Sequence, residues 1–427
     1  MSLLIKGGRV IDPAGGIDAP ADILIEGGQI IGVGTDLPAA KEELPAQGLV
    51  VVPGFIDLHV HLREPGYEYK ETIASGTRAA ARGGFTSVVC MPNTNPPVDN
   101  KAVVEFILAE GARNGAVRVY PIGAITKGRR GEELTEMADL AAAGVVAFSD
   151  DGNTIMNAVV MRRALEYGKM LDLPLSVHCE DVNLAGQGLM NEGRTSTLLG
   201  LPGQTRAAEN VIIARDVELA RLTGGRVHFA HVSTKEGVEL VRRAKKLGLR
   251  VSAEATPHHL TLTDELVATY DPNTKVSPPL RTREDVEALR AGLLDGTIDC
   301  IATDHAPHSR DDKEVEYSHA AWGMVGLETA WPVIYTHPVL TGCLSLIQAI
   351  DLFTRKPAEL FNLPGGRITA GQPADLVLFD PKKKQRVTEE LLVGKSKNSP
   401  FIGQELQGWP VYTIVGGQAR WVDEIGR

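Results

Sequence analysis

Histidine and aspartate residues stand at the ends of short apolar runs between residues 59 and 304, and this pattern most limits how the chain can fold. These residues are His59, His61, His178, His231 and Asp304. Alternate residues of a β-strand point to the same side, so His59 and His61 can share one metal ion. Zinc accepts imidazole nitrogen and carboxylate oxygen, and a catalytic zinc keeps one position open for water. Only a closed fold brings ligands from such distant segments together.

The middle of the chain alternates apolar runs with helical patterns. The predicted strands cover residues 55–59, 85–90, 117–122, 145–148, 175–178, 227–231, 251–255 and 300–303, and helices are predicted at 71–82, 102–113 and 234–246. Eight strands with intervening helices predict an α/β fold of the (β/α)8 TIM-barrel type. An open doubly wound sheet is the competing interpretation. It is disfavoured because no GxGxxG motif follows an early strand and because the candidate ligands come from many strands.

The two ends of the chain consist of β-rich runs separated by glycine pairs, which predict two-residue hairpins. These pairs are Gly7-Gly8, Gly27-Gly28 and Gly416-Gly417. We therefore predict a small composite β-sandwich domain from residues 1–52 and 365–427. The barrel is predicted to occupy residues 53–364.

The candidate ligands fall at the carboxyl ends of the predicted strands, where barrel enzymes keep their active sites. His178 and His231 end neighbouring strands and together suit a second metal ion. One carboxylate of the Asp150-Asp151 pair is expected to bridge the two ions, and the strand pattern leaves open which one. Asp304 is the candidate general base, since a metal-bound carboxylate beside the bridging water can accept its proton.

Polar residues beside these ligands are candidates for supporting roles. Asp57 has the same strand parity as the histidine pair and is expected to hydrogen-bond a ligand ring. His305 and His308 compete for a role in substrate binding. Arginine binds carboxylates in a bidentate manner, so Arg63 together with Asn93 is expected to hold an anionic, amide-bearing substrate.

Composition excludes several classes of function. The chain has 44 basic and 54 acidic residues, a net charge of −10, which argues against a nucleic-acid surface. No apolar run approaches the length of a membrane span, and the first residues are too short for a signal peptide. The four cysteines form no CxxC pair, a pattern typical of proteins in the reducing cytoplasm. We expect a cytoplasmic enzyme with a small-molecule substrate and no nucleic-acid or membrane partner.

Five segments of the chain form a specific set of motifs. They are residues 53–66 (PGFIDLHVHLREPG), 91–94 (MPNT), 302–308 (ATDHAPH), 326–329 (GLET) and 371–376 (GQPADL). Together these motifs resemble the dihydroorotase family of the amidohydrolase superfamily. The resemblance runs essentially from end to end. It implies the reversible cyclisation of N-carbamoyl-L-aspartate to L-dihydroorotate in pyrimidine (UMP) synthesis, by a hydroxide that two zinc ions activate.

The resemblance also assigns metal ligands. It implies that His59, His61 and Asp304 hold one zinc and that His178 and His231 hold the other. Many relatives bridge the metals with a carbamylated lysine after strand four, but residues 144–154 contain no lysine. The chain resembles instead the bacterial branch, class I, in which an aspartate bridges the ions, and here that residue is Asp151.

The substrate contacts that the resemblance implies lie at the same end of the strands. They are His61, Arg63, Asn93, His308 and the backbone around Trp322 and Gly323. The chain departs from the family at Ser277, where that branch usually has asparagine, and a serine offers one hydroxyl in place of an amide. Trp322 also stands where a smaller residue is more usual.

Two other functions remain open at this point. A hydantoinase, dihydropyrimidinase or allantoinase acts on a substrate without a carboxylate, which leaves Arg63 without an evident role. An inactive homologue that serves as a scaffold for aspartate carbamoyltransferase would normally have lost ligands, whereas this chain keeps the full set. We expect a homo-oligomer, most simply a homodimer. The resemblance suggests aspartate carbamoyltransferase as a partner enzyme.

Overall fold

The structure, a computed structural model, describes residues 2–424 and shows a mixed α/β fold. The strands are β1 (Ser2–Asp12), β2 (Ile17–Glu26), β3 (Gln29–Gly34), β4 (Glu42–Pro45), β5 (Val50–Pro53), β6 (Phe55–Val60), β7 (Phe85–Cys90), β8 (Arg118–Pro121), β9 (Leu175–Val177), β10 (Met190–Asn191), β11 (Gly203–Gln204), β12 (Val227–Phe229), β13 (Val251–Ala255), β14 (Cys300–Ile301), β15 (Leu376–Phe379), β16 (Lys384–Arg386), β17 (Glu405–Gln407), β18 (Pro410–Val415) and β19 (Gln418–Trp421).

The α-helices follow the strands in the middle of the chain. They are α1 (Ile73–Arg82), α2 (Lys101–Asn114), α3 (Met137–Ala143), α4 (Ala158–Leu171), α5 (Val182–Ala185), α6 (Arg194–Leu199), α7 (Ala207–Thr223), α8 (Lys235–Lys246), α9 (Arg283–Asp295), α10 (Arg310–Lys313), α11 (Ala330–Ile334), α12 (Leu346–Phe353) and α13 (Arg355–Phe361). Short 3-10 helices lie at Lys127–Arg129, Asp264–Thr269, Pro272–Thr274 and Val422–Glu424, and a π-helical turn lies at Tyr335–Val339. No helix within residues 2–424 is both long and apolar enough to span a bilayer.

Of the three predicted helices, α1 and α8 begin slightly later than expected because their first predicted residues act as caps, whereas α2 begins one residue earlier, after its cap Asn100. The Thr72 hydroxyl accepts a hydrogen bond from the Ser75 amide in front of α1, and the Thr234 hydroxyl accepts one from the Gly237 amide in front of α8. Such side chains satisfy amide groups that have no partner within the helix. Each predicted helix is therefore present, with its start set by a threonine or asparagine cap.

The parallel strands form two groups, β6-β7-β8 and β14-β13-β12-β9. Single parallel bridges join them, from Phe148 to Gly123 and to Leu175 on one side and from Val60 to His305 on the other. The predicted strand over residues 145–148 is reduced to the pairing of Phe148. Its neighbours include Pro121 and Pro174, whose carbonyls accept hydrogen bonds but which have no N–H to continue the ladder.

Strands from both chain ends share one eight-stranded sheet, in the order β19-β18-β15-β5-β1-β2-β3 with β4 beside β1. The hairpins predicted at Gly27-Gly28 and Gly416-Gly417 are confirmed, since they join β2 to β3 and β18 to β19. The hairpin predicted at Gly7-Gly8 is wrong. β1 continues through these glycines, and its register against β2 shifts there, as in a β-bulge.

Aromatic side chains connect this sheet to the parallel strands. Phe55, at the start of β6, packs against Trp331 and Phe353 with ring centroids 4.9 Å and 5.4 Å away. Trp331 in turn packs against Phe379 of β15 at 5.0 Å. Aromatic pairs at such distances contribute strongly to a buried core. The sheet is therefore anchored at the amino end of β6, which leaves the carboxyl ends of the parallel strands to the polar loops.

The chain between β15 and β18 packs on the parallel-strand part of the molecule. β16 and β17 pair only with each other among the described strands. Leu392, Phe401 and Trp409 share an apolar cluster with Val325 and Val333, which lie just before and within α11. This segment is therefore placed close to the loops that follow β14.

Candidate metal centre and substrate pocket

The first group of polar residues gathers at the end of β6. His59 and His61 alternate along the chain, and both imidazoles point to one side, as the spacing predicts. Their Nε2 atoms lie 3.3 Å and 3.0 Å from Oδ1 of Asp304, in the loop after β14. All three side chains are buried. The backbone of Asp304 is held in the left-handed region at φ 48°, a strained conformation that is typical of functional sites.

Asp151 is the carboxylate of the Asp150-Asp151 pair that reaches this group. Its Oδ1 lies 3.3 Å from His59 Nε2 and 3.9 Å from His231 Nε2, and its Oδ2 lies 3.6 Å from His61 Nε2. Asp150 points away and accepts hydrogen bonds from the backbone amides of residues 125 and 126 at 2.9 Å and 3.0 Å. The structure therefore places Asp151 between the two groups of histidines.

The second group comes from β9 and β12. His178 directly follows β9, and its Nδ1 lies 3.0 Å from Nε2 of His231. His231 follows β12 with a positive φ of 34°. The ligand atoms of Asp151, His178 and His231 lie within 4.8 Å of one another, and so do those of Asp151, His59 and His61. Two triads that share one carboxylate are the arrangement needed for a bridged pair of metal ions.

These residues fit metal ions by three further criteria. His59 Nε2 and Asp151 Oδ1 are buried and have no hydrogen-bond partner within residues 2–424, which is costly unless another group occupies the space between them. Their separation of 3.3 Å, repeated between His59 and Asp304, matches the roughly 3.3 Å between two ligands that each lie about 2.05 Å from a tetrahedral zinc. The donor set of imidazoles and carboxylates is also the one that zinc prefers.

The carboxylates of the site remain ionised. Burial alone would raise the pKa of Asp304, but the neighbouring charge of His59 and the hydrogen bond with His61 outweigh it and lower that pKa. The same balance, with His59 and His231 as the main partners, lowers the pKa of Asp151 well below its usual range. Only the ionised form of a carboxylate binds a metal ion strongly, so both are ready to act as ligands.

A carboxylate that the sequence analysis did not select orients His59. Glu254 of β13 is fully buried, and its Oε1 lies 2.8 Å from His59 Nδ1. Its Oε2 lies 3.0 Å from Nε2 of His228, whose Nδ1 lies 2.8 Å from the Ser252 hydroxyl. The sequence feature that could have identified Glu254 is its position between two alanines inside a strand predicted to be buried. Asp57, predicted to contact a ligand ring, instead accepts hydrogen bonds from the backbone amides of residues 59 and 303.

Two of the other three candidate ligand histidines also have a polar group near their second nitrogen, whereas Nδ1 of His231 is buried without a hydrogen-bond partner among the described residues. His61 Nδ1 lies 2.9 Å from Oδ1 of Asn93, whose Nδ2 faces Oδ2 of Asp151 at 3.4 Å. His178 Nε2 lies 3.7 Å from Oε2 of Glu180, another residue that the sequence analysis missed. The hydrogen bond to Asn93 fixes the orientation of the His61 imidazole, and the charge of Glu180 lies near the imidazole of His178.

Ser277 lines the pocket, but its hydroxyl is engaged within the protein. It donates a hydrogen bond of 2.9 Å to Glu180 Oε2, which also accepts one from Gln204 Nε2 at 2.9 Å. Burial would raise the pKa of Glu180, but its contact with His178 and these hydrogen bonds lower it to about 2. Ser277 therefore holds the carboxylate of Glu180, which lies near His178.

A cavity of about 350 Å³ opens in front of the two triads. Its lining contains all the predicted substrate contacts, which are His61, Arg63, Asn93, Ser277, His308, Trp322 and Gly323. Of the two competing histidines, His308 lines the cavity, whereas His305 is fully buried and its Nδ1 faces the amide of Gly326 at 3.1 Å.

The hydrogen bonds of His308 fix its tautomer. Its Nε2 lies 2.7 Å from the carbonyl of Trp322 and must donate, so its Nδ1 accepts from Lys70 Nζ at 3.2 Å. Burial and the positive charges of Arg63 and Lys70 lower the pKa of His308 to about 2. Arg63 also packs here, with Nε donating to the carbonyl of Pro307 at 3.2 Å. The neutral imidazole thus stands between two cations at one end of the cavity.

Comparison with known families covers nearly the whole chain. A family model described as "Dihydro-orotase-like" matches residues 48–237. A second, described as "Amidohydrolase family", matches residues 203–420.

Individual relatives agree with these matches. The chain is 54% identical to a dihydroorotase of Pelotomaculum thermopropionicum over all of both chains. It is 53% identical to a dihydroorotase of Caldanaerobacter subterraneus subsp. tengcongensis, with 99% of this chain and 97% of that protein covered. Among solved structures, the L-hydantoinase (dihydropyrimidinase) of Arthrobacter aurescens is similar, with a TM-score of 0.88, 26% identity, and 98% and 95% of the two chains covered.

Proposed function

This chain belongs to the dihydroorotase family of the amidohydrolases, and we propose that it catalyses the reversible ring closure of N-carbamoyl-L-aspartate to L-dihydroorotate in pyrimidine synthesis. The observation that carries the proposal is the pair of triads that share Asp151 at the base of a cavity lined by Arg63. The triads suit hydrolysis or formation of an amide bond. The guanidinium in the lining of the cavity suits a substrate with a carboxylate.

We infer that the site holds two zinc ions and is of the class I, aspartate-bridged type. His59, His61 and Asp304 would hold one ion, His178 and His231 the other, and Asp151 would bridge them. The shared carboxylate and the unpartnered atoms of His59 and Asp151 support this assignment. When bound, such ions supply Lewis acidity toward a carbonyl oxygen and lower the pKa of water.

The general base is Asp304 in this proposal. In the ring-opening direction, water adds to the ring carbonyl, and the Asp304 carboxylate takes the proton that the water loses. As the C–N bond breaks, Asp304 passes this proton to the departing ring nitrogen, and ring closure follows the reverse path. The ionised state of Asp304 and its burial beside His59 and His61 support this role.

The other side chains of the cavity bind and orient the substrate. Arg63 offers a bidentate donor to the substrate carboxylate, and the amide nitrogen of Asn93 lies beside Asp151. His308 fixes the carbonyl of Trp322, so that the peptide from Trp322 to Gly323 forms a rigid wall. Such positioning contributes by holding the reacting atoms close together before reaction.

The architecture is part of the same proposal. We infer that the parallel strands close into a (β/α)8 barrel over residues 53–364, with a composite β-sandwich domain from residues 1–52 and 365–427. The bridges at Phe148 and between Val60 and His305 support closure, and the shared eight-stranded sheet supports a composite end domain. Three further predictions remain: a homodimer, a cytoplasmic location and a complex with aspartate carbamoyltransferase. Sedimentation with and without aspartate carbamoyltransferase tests the homodimer and the complex.

A hydantoinase activity is the second candidate, since the L-hydantoinase structure has a closely similar fold. The deciding experiment uses the purified, zinc-loaded protein alone. We expect turnover of dihydroorotate and of carbamoyl aspartate, with little hydrolysis of hydantoin or allantoin because they leave Arg63 without a partner. A preference for hydantoin would contradict the proposed substrate, and inactivity toward all four compounds would favour the scaffold interpretation.

A further inference from the structure

One wall of the cavity is built from two loops that are distant in sequence. The loop after β14 contributes Ala306 and His308, and the loop that precedes α11 contributes Trp322 and Gly323. The loops contact each other through the bond from His308 Nε2 to the Trp322 carbonyl, 2.7 Å long, and through the Ala306 amide, which donates to the carbonyl of Met324 at 2.9 Å. The shape of this wall therefore depends on how these loops are held relative to each other.

Gly323 shows how little room this wall has. Its φ of 127° is strained for any residue with a side chain, and an added Cβ atom would lie 2.6 Å from Cβ of Ala306. The same Cβ would lie 3.3 Å from Nε2 of His308. The two loops are therefore packed backbone to backbone, and a small shift of either one changes the cavity.

A single buried side chain from a third segment joins the two loops. Asn398, in the chain between β16 and β17, donates from Nδ2 to the carbonyls of Ala306 at 3.0 Å and Gly323 at 3.1 Å. Its Oδ1 accepts the amide of His308 at 3.1 Å. Both hydrogens of the amide nitrogen and one acceptor site of the oxygen are thus used within the wall.

The segment around Asn398 is itself fixed on both sides of the wall. Its own carbonyl accepts the amide of Val325 at 2.9 Å. Two residues earlier, the Ser396 hydroxyl donates to the carbonyl of Lys70 at 2.7 Å, and Lys70 is the cation that binds His308 Nδ1. The segment therefore contacts His308 directly through Asn398 and indirectly through Lys70.

We propose that Asn398 is a positioning residue for substrate, which sets the distance between His308 and the Trp322–Gly323 peptide. The side chain does not line the substrate cavity and contacts none of the six metal-ligand candidates. Its effect is therefore on substrate binding and not on metal binding. This role rests on the proposed function only for the identity of the substrate, because the geometry of the wall holds for any ligand of the cavity.

The test is the Asn398→Ala variant, assayed for metal content, KM and kcat with dihydroorotate. We expect full metal occupancy and a KM raised on the order of tenfold or more, since displacements near 1 Å in a site have large kinetic effects. Asn398→Ser provides a second variant, whose single hydroxyl retains one of the three hydrogen bonds and should give an intermediate KM. A KM within twofold of the parent protein in either folded, metal-loaded variant would overturn the proposal.

Ser399→Ala is the matched control. Ser399 is the next residue and is also buried, and among the described residues its Oγ accepts a hydrogen bond from the amide of Phe401 at 3.3 Å and makes no hydrogen bond to either loop of the wall. A loss of stability common to the segment lowers the melting temperature of both variants, but only Asn398→Ala should change KM. If the parent protein hydrolyses hydantoin instead of dihydroorotate, the proposed function fails, and the same KM comparison with hydantoin still tests Asn398.

Discussion

Glu254 offers the sharpest test of the metal centre, because it touches a predicted ligand without being one. We predict that Glu254→Gln weakens zinc binding while the fold persists. The amide keeps the size of the side chain and can still accept from His59 Nδ1, now 2.8 Å from the carboxylate. It loses the negative charge that strengthens this bond and makes Nε2 of His59 a better ligand.

The expected magnitude follows from the bonds that change. A hydrogen bond to a charged group contributes about 1.5–3 kcal/mol and a neutral one about 0.5–1.5 kcal/mol, so the bond to His59 loses about 1–1.5 kcal/mol. That alone is about tenfold in affinity. The bond to His228, 3.0 Å long, changes as well, so we expect zinc to bind about 10- to 100-fold more weakly.

The measurement is a zinc titration in competition with a chromogenic chelator, with the melting temperature recorded in parallel. Asp216→Asn is the control, since Asp216 is an equally buried carboxylate whose partner is Arg215 and which contacts no predicted ligand. We expect its zinc affinity to equal that of the parent protein. An unchanged affinity in Glu254→Gln, or an equal loss in Asp216→Asn, would refute the reasoning.

Three other predictions concern the reaction and its ions. Asp304→Asn should retain part of its zinc and lose about 10²- to 10⁴-fold in kcat as the general base is removed; near-normal turnover in the zinc-loaded variant would rule out that role. Because the pKa of His308 is lowered to about 2, it stays neutral at every assay pH, so His308→Asn should raise KM without moving the inflections of the pH–rate profile, and loss of an inflection near pH 6.5 would contradict this. Removal of metal by a chelator should lower the melting temperature, and zinc at 100 times its Kd should restore about 2.7 kcal/mol of stability for each of the two proposed sites; equal melting curves would speak against a metal site.

The sequence was most informative where a residue's role depends on local periodicity. β7 and β13 have the predicted limits, and nearly all of their residues are buried, the polar ones included. The six ligand candidates come together because each lies at or just beyond the carboxyl end of a parallel strand or bridge, and these ends meet at one end of the fold. Local patterns therefore located the site without any knowledge of long-range contacts.

The pattern failed where two local structures share one sequence signal. Gly7-Gly8 suits both a hairpin and a bulge, and pairing of β1 with strands on either side decides for the bulge. Strand parity predicted that Asp57 contacts a ligand ring, because parity gives the face of the strand but not the distance to a partner. In the structure Glu254, from a strand distant in sequence, makes that contact with His59. Asn398 was invisible for a similar reason, since its partners lie 75 to 92 residues away along the chain.

The charges around the site give an independent argument for two ions. Asp151 and Asp304 lie among the ligands, and Glu254 and Glu180 lie behind His59 and His178, one for each triad. Four ionised carboxylates in a largely buried region cost several kcal/mol each unless opposite charge compensates them. Two divalent cations supply four positive charges and leave the histidines neutral, as metal ligation requires. One ion would leave two of these negative charges to Arg63 and to protonated histidines, so the arrangement of the carboxylates supports the proposed pair of ions.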